Sequence, residues 1–266
     1  MKKVLVIILG LLIILGIFAC KNDKMPTAAP ISFESITLKD STAKCEEANC
    51  FKGTIQYLVA KGTNTAVAQS ISDTIAKYTT SSLAGYIQEN PSVKTVAEAL
   101  QYLRKDFNEL EAEQNKLPAD ERYAVYEVEI ETREAYRNSK VICIEQNGYF
   151  NTGGAHPNSH ISLFTFDALT GKTLELKDLM IDEKGFIKVV EEYLRQSHEV
   201  KPNETLADAG FLEMESLPIP VDYAVTSTGL RVIYNTYEIA PYATGASGFE
   251  IPFSALEKVL KLDKLK

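Results

Sequence analysis

Apolar residues recur along the chain with three distinct periods. Met1-Lys2-Lys3 leads into an apolar run from Val4 to Phe18, interrupted only by Gly10 and Gly16. The run is shorter than the about 20 residues that a transmembrane helix needs; it has the length of the apolar region of an export signal. Beyond it, 31–39 and 51–60 read as strands, the second carrying Ile55, Tyr57 and Val59 on alternate positions. Between 64 and 78 the period changes. Val67, Ile71, Ile75 and Tyr78 recur at steps of four, four and three, which is one stripe of a helix. A second helix over 93–115 carries the seam Val96, Leu100, Leu103, Phe107 and Leu110, and Pro118 ends it. Strict alternation returns over 123–135, with Ala124, Tyr126, Val128 and Ile130 on one side and Glu127, Glu129 and Glu131 on the other.

Further strands are predicted over 141–149 and 160–166, then a turn at 167–172 and a return to the sheet at 173–176. A helix follows over 183–199 with Phe186, Val189, Val190 and Tyr193 inward. A hairpin pairs 221–227 with 230–237 across Thr228-Gly229, and a closing helix spans 254–262. Consecutive strands joined by turns, with helices in separate blocks, predict an α+β fold with an antiparallel sheet rather than βαβ winding.

The N-terminal run ends Ile17-Phe18-Ala19-Cys20, a small residue followed by cysteine. This is the lipobox pattern, in which a signal peptidase takes the small residue and the thiol accepts a diacylglyceryl group. Residues 1–19 are therefore read as a lipoprotein signal peptide and Cys20 as the lipidated residue. The segment 20–30, polar and rich in Pro and Ala, is read as a tether. The chain is then membrane-anchored through its lipid and works in the cell envelope, on an outer membrane or a periplasm-facing membrane. Lys21-Asn22-Asp23-Lys24 is also compatible with surface exposure.

Charge narrows the partners. Of 28 basic residues the leader holds Lys2 and Lys3, and of 36 acidic residues it holds none, so 26 basic face 36 acidic and the mature charge is −10. Nucleic-acid binding depends on neutralising phosphates and is excluded on this ground. Such acidity suits a basic partner, and it equally serves to keep a chain soluble. Cys45 and Cys50 lie five apart between two strands, in a chain that leaves the reducing cytoplasm, and a disulfide between them is expected. Cys143, inside an apolar strand, reads as a buried thiol.

No catalytic constellation stands out. His156 and His160 form His-x-x-x-His, but Gly153, Gly154 and Pro157 argue against a helix there. On a strand the two rings stand about 13 Å apart, too far for one metal. No nucleophile elbow, phosphate-cradling glycine loop or His-Glu-x-x-His motif occurs. No metal, cofactor or enzyme activity is expected.

One stretch is more specific. Gly148-Tyr149-Phe150-Asn151-Thr152-Gly153-Gly154-Ala155-His156-Pro157 precedes Phe164-Thr165-Phe166-Asp167 and Thr170-Gly171-Lys172, then Leu174-Glu175-Leu176-Lys177-Asp178-Leu179. With Gly229-Leu230-Arg231-Val232, the run from Tyr234 to Gly245 and Ile251-Pro252-Phe253, it resembles the RsiV-like extracytoplasmic domain of lysozyme-sensing anti-sigma factors. The preceding segment is similar to the deacetylase-associated domain of unknown function found with it. The resemblance implies two closely packed halves, 31–140 and 141–266. It also implies binding of a lysozyme-like wall hydrolase or of peptidoglycan. Gly153 and Gly154 supply a tight turn, and His156 is placed to hydrogen-bond the Tyr-rich segment. Tyr234, Tyr237 and Tyr242 are the candidate anchors beside it, because tyrosines on loops bring contact area with little rotamer entropy. The reading is a non-catalytic, lipid-anchored binding protein of the envelope; the alternative is a deacetylase-like wall-modifying hydrolase with an unrecognised site.

Overall fold

The computed structural model describes residues 28–42, 49–88, 92–118, 121 and 123–266. The segment read as a signal peptide, Cys20, most of the segment read as a tether, and Cys45 lie outside them. Among the described residues, eight strands and five α-helices follow in the order β1 (Ile31–Ser41), β2 (Asn49–Gly62), α1 (Thr65–Ala84), α2 (Val96–Gln114), β3 (Ala124–Arg137), β4 (Val141–Thr152), β5 (Asn158–Asp167), α3 (Leu176–Leu179), α4 (Glu183–Ser197), β6 (Asp222–Val225), β7 (Gly229–Tyr234), β8 (Ser247–Pro252) and α5 (Phe253–Leu256). The strands form a five-stranded sheet, β1-β2-β3-β4-β5, and a three-stranded sheet, β6-β7-β8. The fold is α+β.

Helix ends follow local chemistry. Asn64 Oδ1 accepts from Val67 N at 3.3 Å and starts α1. Thr95 Oγ1 accepts from Glu98 N at 3.1 Å, while Glu98 reaches back to Lys94 N at 2.8 Å, so one N–H left open by the helix and one just ahead of its cap are satisfied. Asp182 caps α4 through Gly185 N.

Every pair in the large sheet is antiparallel except β2 with β3, which is parallel. The antiparallel expectation is corrected at that pair. The chain leaves β2, packs α1 and α2 on one face, and re-enters the sheet at β3 in the same direction. Periodicity reports which side of a strand is buried and is silent about its direction.

The helices cover one face of the sheet. Ile71 and Ile75 of α1 cluster with Ile142, Ile144, Phe164 and Phe166, and Leu100, Leu103 and Phe107 of α2 cluster with Phe51, Ile55, Tyr126 and Ile130. On the other face, Val141, Cys143 and Leu163 join the core built by β6–β8 and α4. Alternate residues of β4 therefore serve two cores. The division expected at 140 falls inside this sheet, because β3, β4 and β5 follow one another as a hydrogen-bonded meander.

Two C-terminal elements differ from expectation. The closing helix is one turn, Phe253–Leu256, after which Leu260 bridges to Met180 and buries its side chain there. The stretch Ser247–Pro252, for which no element was expected, is strand β8. A Cβ at Gly248 would meet Ile233 Cδ1 at 2.8 Å, so a larger residue there would require the Ile233 side chain to shift.

A charged contact joins the sheets. Glu145 of β4, 4% exposed, accepts from Arg133 at 2.9 Å and from Arg231 of β7 at 2.5 Å. Burial would raise its carboxyl, but hydrogen bonds from Arg133, Asn147 and Arg231 outweigh this and hold it below the usual carboxylate range. Glu145→Ala is expected to cost about 2–3 kcal/mol, since charged hydrogen bonds are lost while both arginines can still reach water. The urea midpoint, measured with an unchanged slope, checks this.

Candidate binding site at the β4–β5 turn

Between β4 and β5 the chain turns through 153–157. Gly153 has φ +79°, and a Cβ there would lie 3.3 Å from Leu110 Cδ2. Around Gly154 the space is open, with nothing nearer than His156 O at 4.0 Å. Of the two candidate glycines, Gly153 is the one the backbone requires.

The segment after β7 faces this turn. Tyr237 sits at φ 72°, and its N–H donates to Ala240 O at 3.0 Å. A left-handed aromatic residue is an outlier that costs about 1–2 kcal/mol, so the surrounding turn must hold it there. The Tyr242 ring stacks on His156 with centroids 3.8 Å apart, and the Tyr237 ring lies 6.0 Å from Tyr242. Tyr242 OH donates to Pro157 O at 2.8 Å. If His156 Nδ1 donates to Pro157 O at 3.1 Å, Nε2 is free to accept from Tyr237 OH at 3.4 Å. The three rings stay open to solvent, Tyr237 at 55% and Tyr242 at 39% exposure. Beside them is a cleft of about 370 Å³ that includes Ser159, Ile161, Asn235 and Thr244.

Tyr234 is a correction. It ends β7 at 1% exposure, and its OH donates to Pro218 O at 2.6 Å. Burial pushes its phenol pKa up. The strand period that aligns Val232 with the core aligns Tyr234 with it too, so Tyr234 supports the site from beneath and offers no contact.

Asn235 and Asp222, which the sequence did not single out, hold the segment in place. Asn235 Oδ1 accepts from Ile161 N at 2.8 Å, and its Nδ2 donates to Ile161 O and to Asp222, each at 3.0 Å. Asp222 accepts from Leu163 N at 2.7 Å. Burial pushes the Asp222 carboxyl up to about 6; the Leu163 and Asn235 hydrogen bonds oppose this, and the nearby Glu238 charge adds to it. These partners lie 13 to 74 residues apart in sequence, and no local pattern marks them.

The two histidines point different ways. His160 lies opposite Gly148 and stacks parallel to Phe150 at 5.8 Å, and burial lowers its pKa. Among the described residues no group of three His, Cys, Asp or Glu is placed to hold a metal ion. Cys143 is buried, and its thiol is pushed up to about 11 by desolvation.

Residues 44–159 match the family described as Deacetylase PdaC, and residues 177–254 match the Protein of unknown function (DUF3298). The chain thus joins a segment similar to PdaC to a segment similar to DUF3298. The PdaC match runs through β4 into β5, and the DUF3298 match holds β6, β7 and β8. A solved DUF3298 family member from Bacteroides fragilis is similar in fold, with TM-score 0.71 and 20% identity over 88% of this chain and 95% of its own. A DUF3298 family protein from Pseudomonas aeruginosa has TM-score 0.61 and 18% identity over 87% of this chain and 95% of its own. No curated protein matches the chain in sequence. The candidate site thus takes its turn from the segment that matches PdaC and its tyrosines from the segment that matches DUF3298.

The folded Asp222 carboxyl holds its proton up to about pH 6, whereas the unfolded chain releases it near 3.8. The folded state binds more protons between these values, so this residue's contribution to stability falls as pH rises through that window. The loss is at most about 3 kcal/mol for two pKa units. Asp222→Asn is expected to flatten that part of the stability–pH curve, as read by denaturant melts at pH 4, 5, 6 and 7.

Proposed function

We propose that the protein is an exported, lipid-anchored, non-catalytic binding protein of the cell envelope. The observation that carries this reading is the open aromatic surface of His156, Tyr237 and Tyr242, with Tyr237 held in a strained backbone. Strain retained in an exposed aromatic side chain suits a preformed contact surface. The PdaC and DUF3298 matches support an envelope setting. The lipobox supports anchoring through Cys20, and export supports a Cys45–Cys50 bridge at the β1–β2 connection.

The partner class we propose is a basic, lysozyme-like wall hydrolase, as the resemblance to RsiV-like domains suggests. Charge supports it: Glu131 stands exposed on the sheet face that carries Tyr149 and Ser159, beside Glu129, which shares Lys52 with Glu127. A protein of mature charge −10 gains association rate toward a cationic partner, and salt screens the gain. A second reading, a wall-modifying hydrolase, is favoured by the description of the family that matches 44–159.

Calorimetry of the soluble chain with lysozyme is expected to show binding at low salt that weakens as salt rises. Tyr242→Ala should lower the affinity about tenfold or more, as for an anchor residue. No heat at micromolar concentrations would sink the partner. Acetate released from peptidoglycan by the chain alone would favour the second reading. Mass spectrometry of unreduced peptides is expected to recover Cys45 and Cys50 linked, and both thiols free would remove the bridge.

A further inference from the structure

The outer edge of β5 can be followed group by group. Ile161, Leu163, Thr165 and Asp167 turn their main-chain N–H and C=O away from β4. Asn235 takes both groups of Ile161. Asp222 takes the N–H of Leu163 at 2.7 Å. Leu174 N donates to Thr165 O and Asp167 N donates to Lys172 O, each at 2.8 Å. Two groups are left between these closures. Among the described residues, Leu163 O and Thr165 N have no hydrogen-bond partner, although Leu163 is 4% and Thr165 2% exposed. Main-chain groups buried without a partner are rare.

A cleft of about 440 Å³ opens on this stretch, and Leu163, Phe164 and Thr165 line it. Tyr78 of α1 stands on one side, 46% exposed, with its ring 4.5 Å from that of Phe164. Val221, just ahead of β6, stands on the other side at 80% exposure. Ile219 and Leu176 add to the apolar lining. Asp222 lines this cleft and Asn235 lines the one beside the tyrosines, so the two clefts are separate.

We infer that this cleft receives an extended peptide segment of a partner polypeptide, which pairs antiparallel with β5 over a single bridge. The unpaired groups specify the ligand. A C=O and the N–H two residues further on, turned to the same side of a strand, are the pair that a neighbouring strand satisfies. The middle residue of the segment stands opposite Phe164. The residue after it donates its N–H to Leu163 O, and the residue before it accepts from Thr165 N. Longer pairing is blocked, because Leu163 N and Thr165 O are already held. Opposed residues of a sheet share a face, so the middle side chain lies beside Phe164 and Tyr78, where an aromatic or aliphatic group fits. Its two neighbours turn to the side of Val221.

The probe is the blocked peptide acetyl-Ser-Val-Phe-Val-Ser-amide, with Phe as the middle residue. Titrated into the full chain, it is expected to slow hydrogen exchange at the Thr165 amide and to leave Leu163, already held by Asp222, unchanged. Methylating the N–H of the valine after Phe removes the donor to Leu163 O and should weaken binding about tenfold. Methylating the N–H of Phe itself, which points away from β5, should leave binding unchanged. Tyr78→Ala takes away the exposed wall and should weaken binding about fivefold. Equal losses from the two methylations overturn the strand pairing. A Thr165 amide that does not respond to millimolar peptide overturns the cleft as a peptide site. Slow exchange at Thr165 in the peptide-free monomer overturns the open edge. The same slow exchange in a chain that sediments as a dimer puts a second copy there and overturns a separate partner.

Discussion

The middle of the outer edge of the large sheet is closed at β5 by side chains, while its end is paired by the backbone of 172–174 through the Phe166–Thr173 bridge. The Asn235 carboxamide bonds both N–H and C=O of Ile161, as a neighbouring peptide group would, and Asp222 takes the N–H of Leu163. Unpaired backbone groups at this buried edge would cost about 1–3 kcal/mol each. Because both side chains come from the three-stranded sheet, closing the edge and docking that sheet are one event. Asn235 also fixes where the chain leaves β7, and that places Tyr237 and Tyr242 against His156.

Most of the docking energy is apolar, from the core shared by Val141, Cys143 and Leu163 with β6–β8 and α4. Polar contacts set the geometry. A shifted register would leave Glu145 buried without Arg231 and Asp222 buried without Leu163 N, and unpaired buried charge is strongly disfavoured. The result is a body with the aromatic corner at one end of β4 and the chain entry at the other.

Much of this was legible in the residues. The stripes at 67–78 and 96–110 became α1 and α2, and the alternation over 124–132 became β3 with Ala124, Tyr126, Val128, Ile130 and Thr132 buried. The placing of His156 against the tyrosine segment was legible through a resemblance, and Gly153 through the need for a left-handed turn. Tyr234 misled because it was grouped with its loop neighbours, when the strand phase of Leu230, Val232 and Tyr234 governs it. Asp222 and Asn235 carried no local signal at all.

What the sequence by itself determined is the set of elements, the faces they bury and the glycine turn beside the site, since these follow from periods and dihedral preferences within a few residues. Only the tertiary structure decided that β2 and β3 run parallel, that 247–252 is a strand, that β4 serves two cores, and that an aspartate and an asparagine close the edge of β5. Each of these depends on partners distant along the chain, and hydrogen-bond satisfaction between distant groups leaves no periodic trace in the sequence.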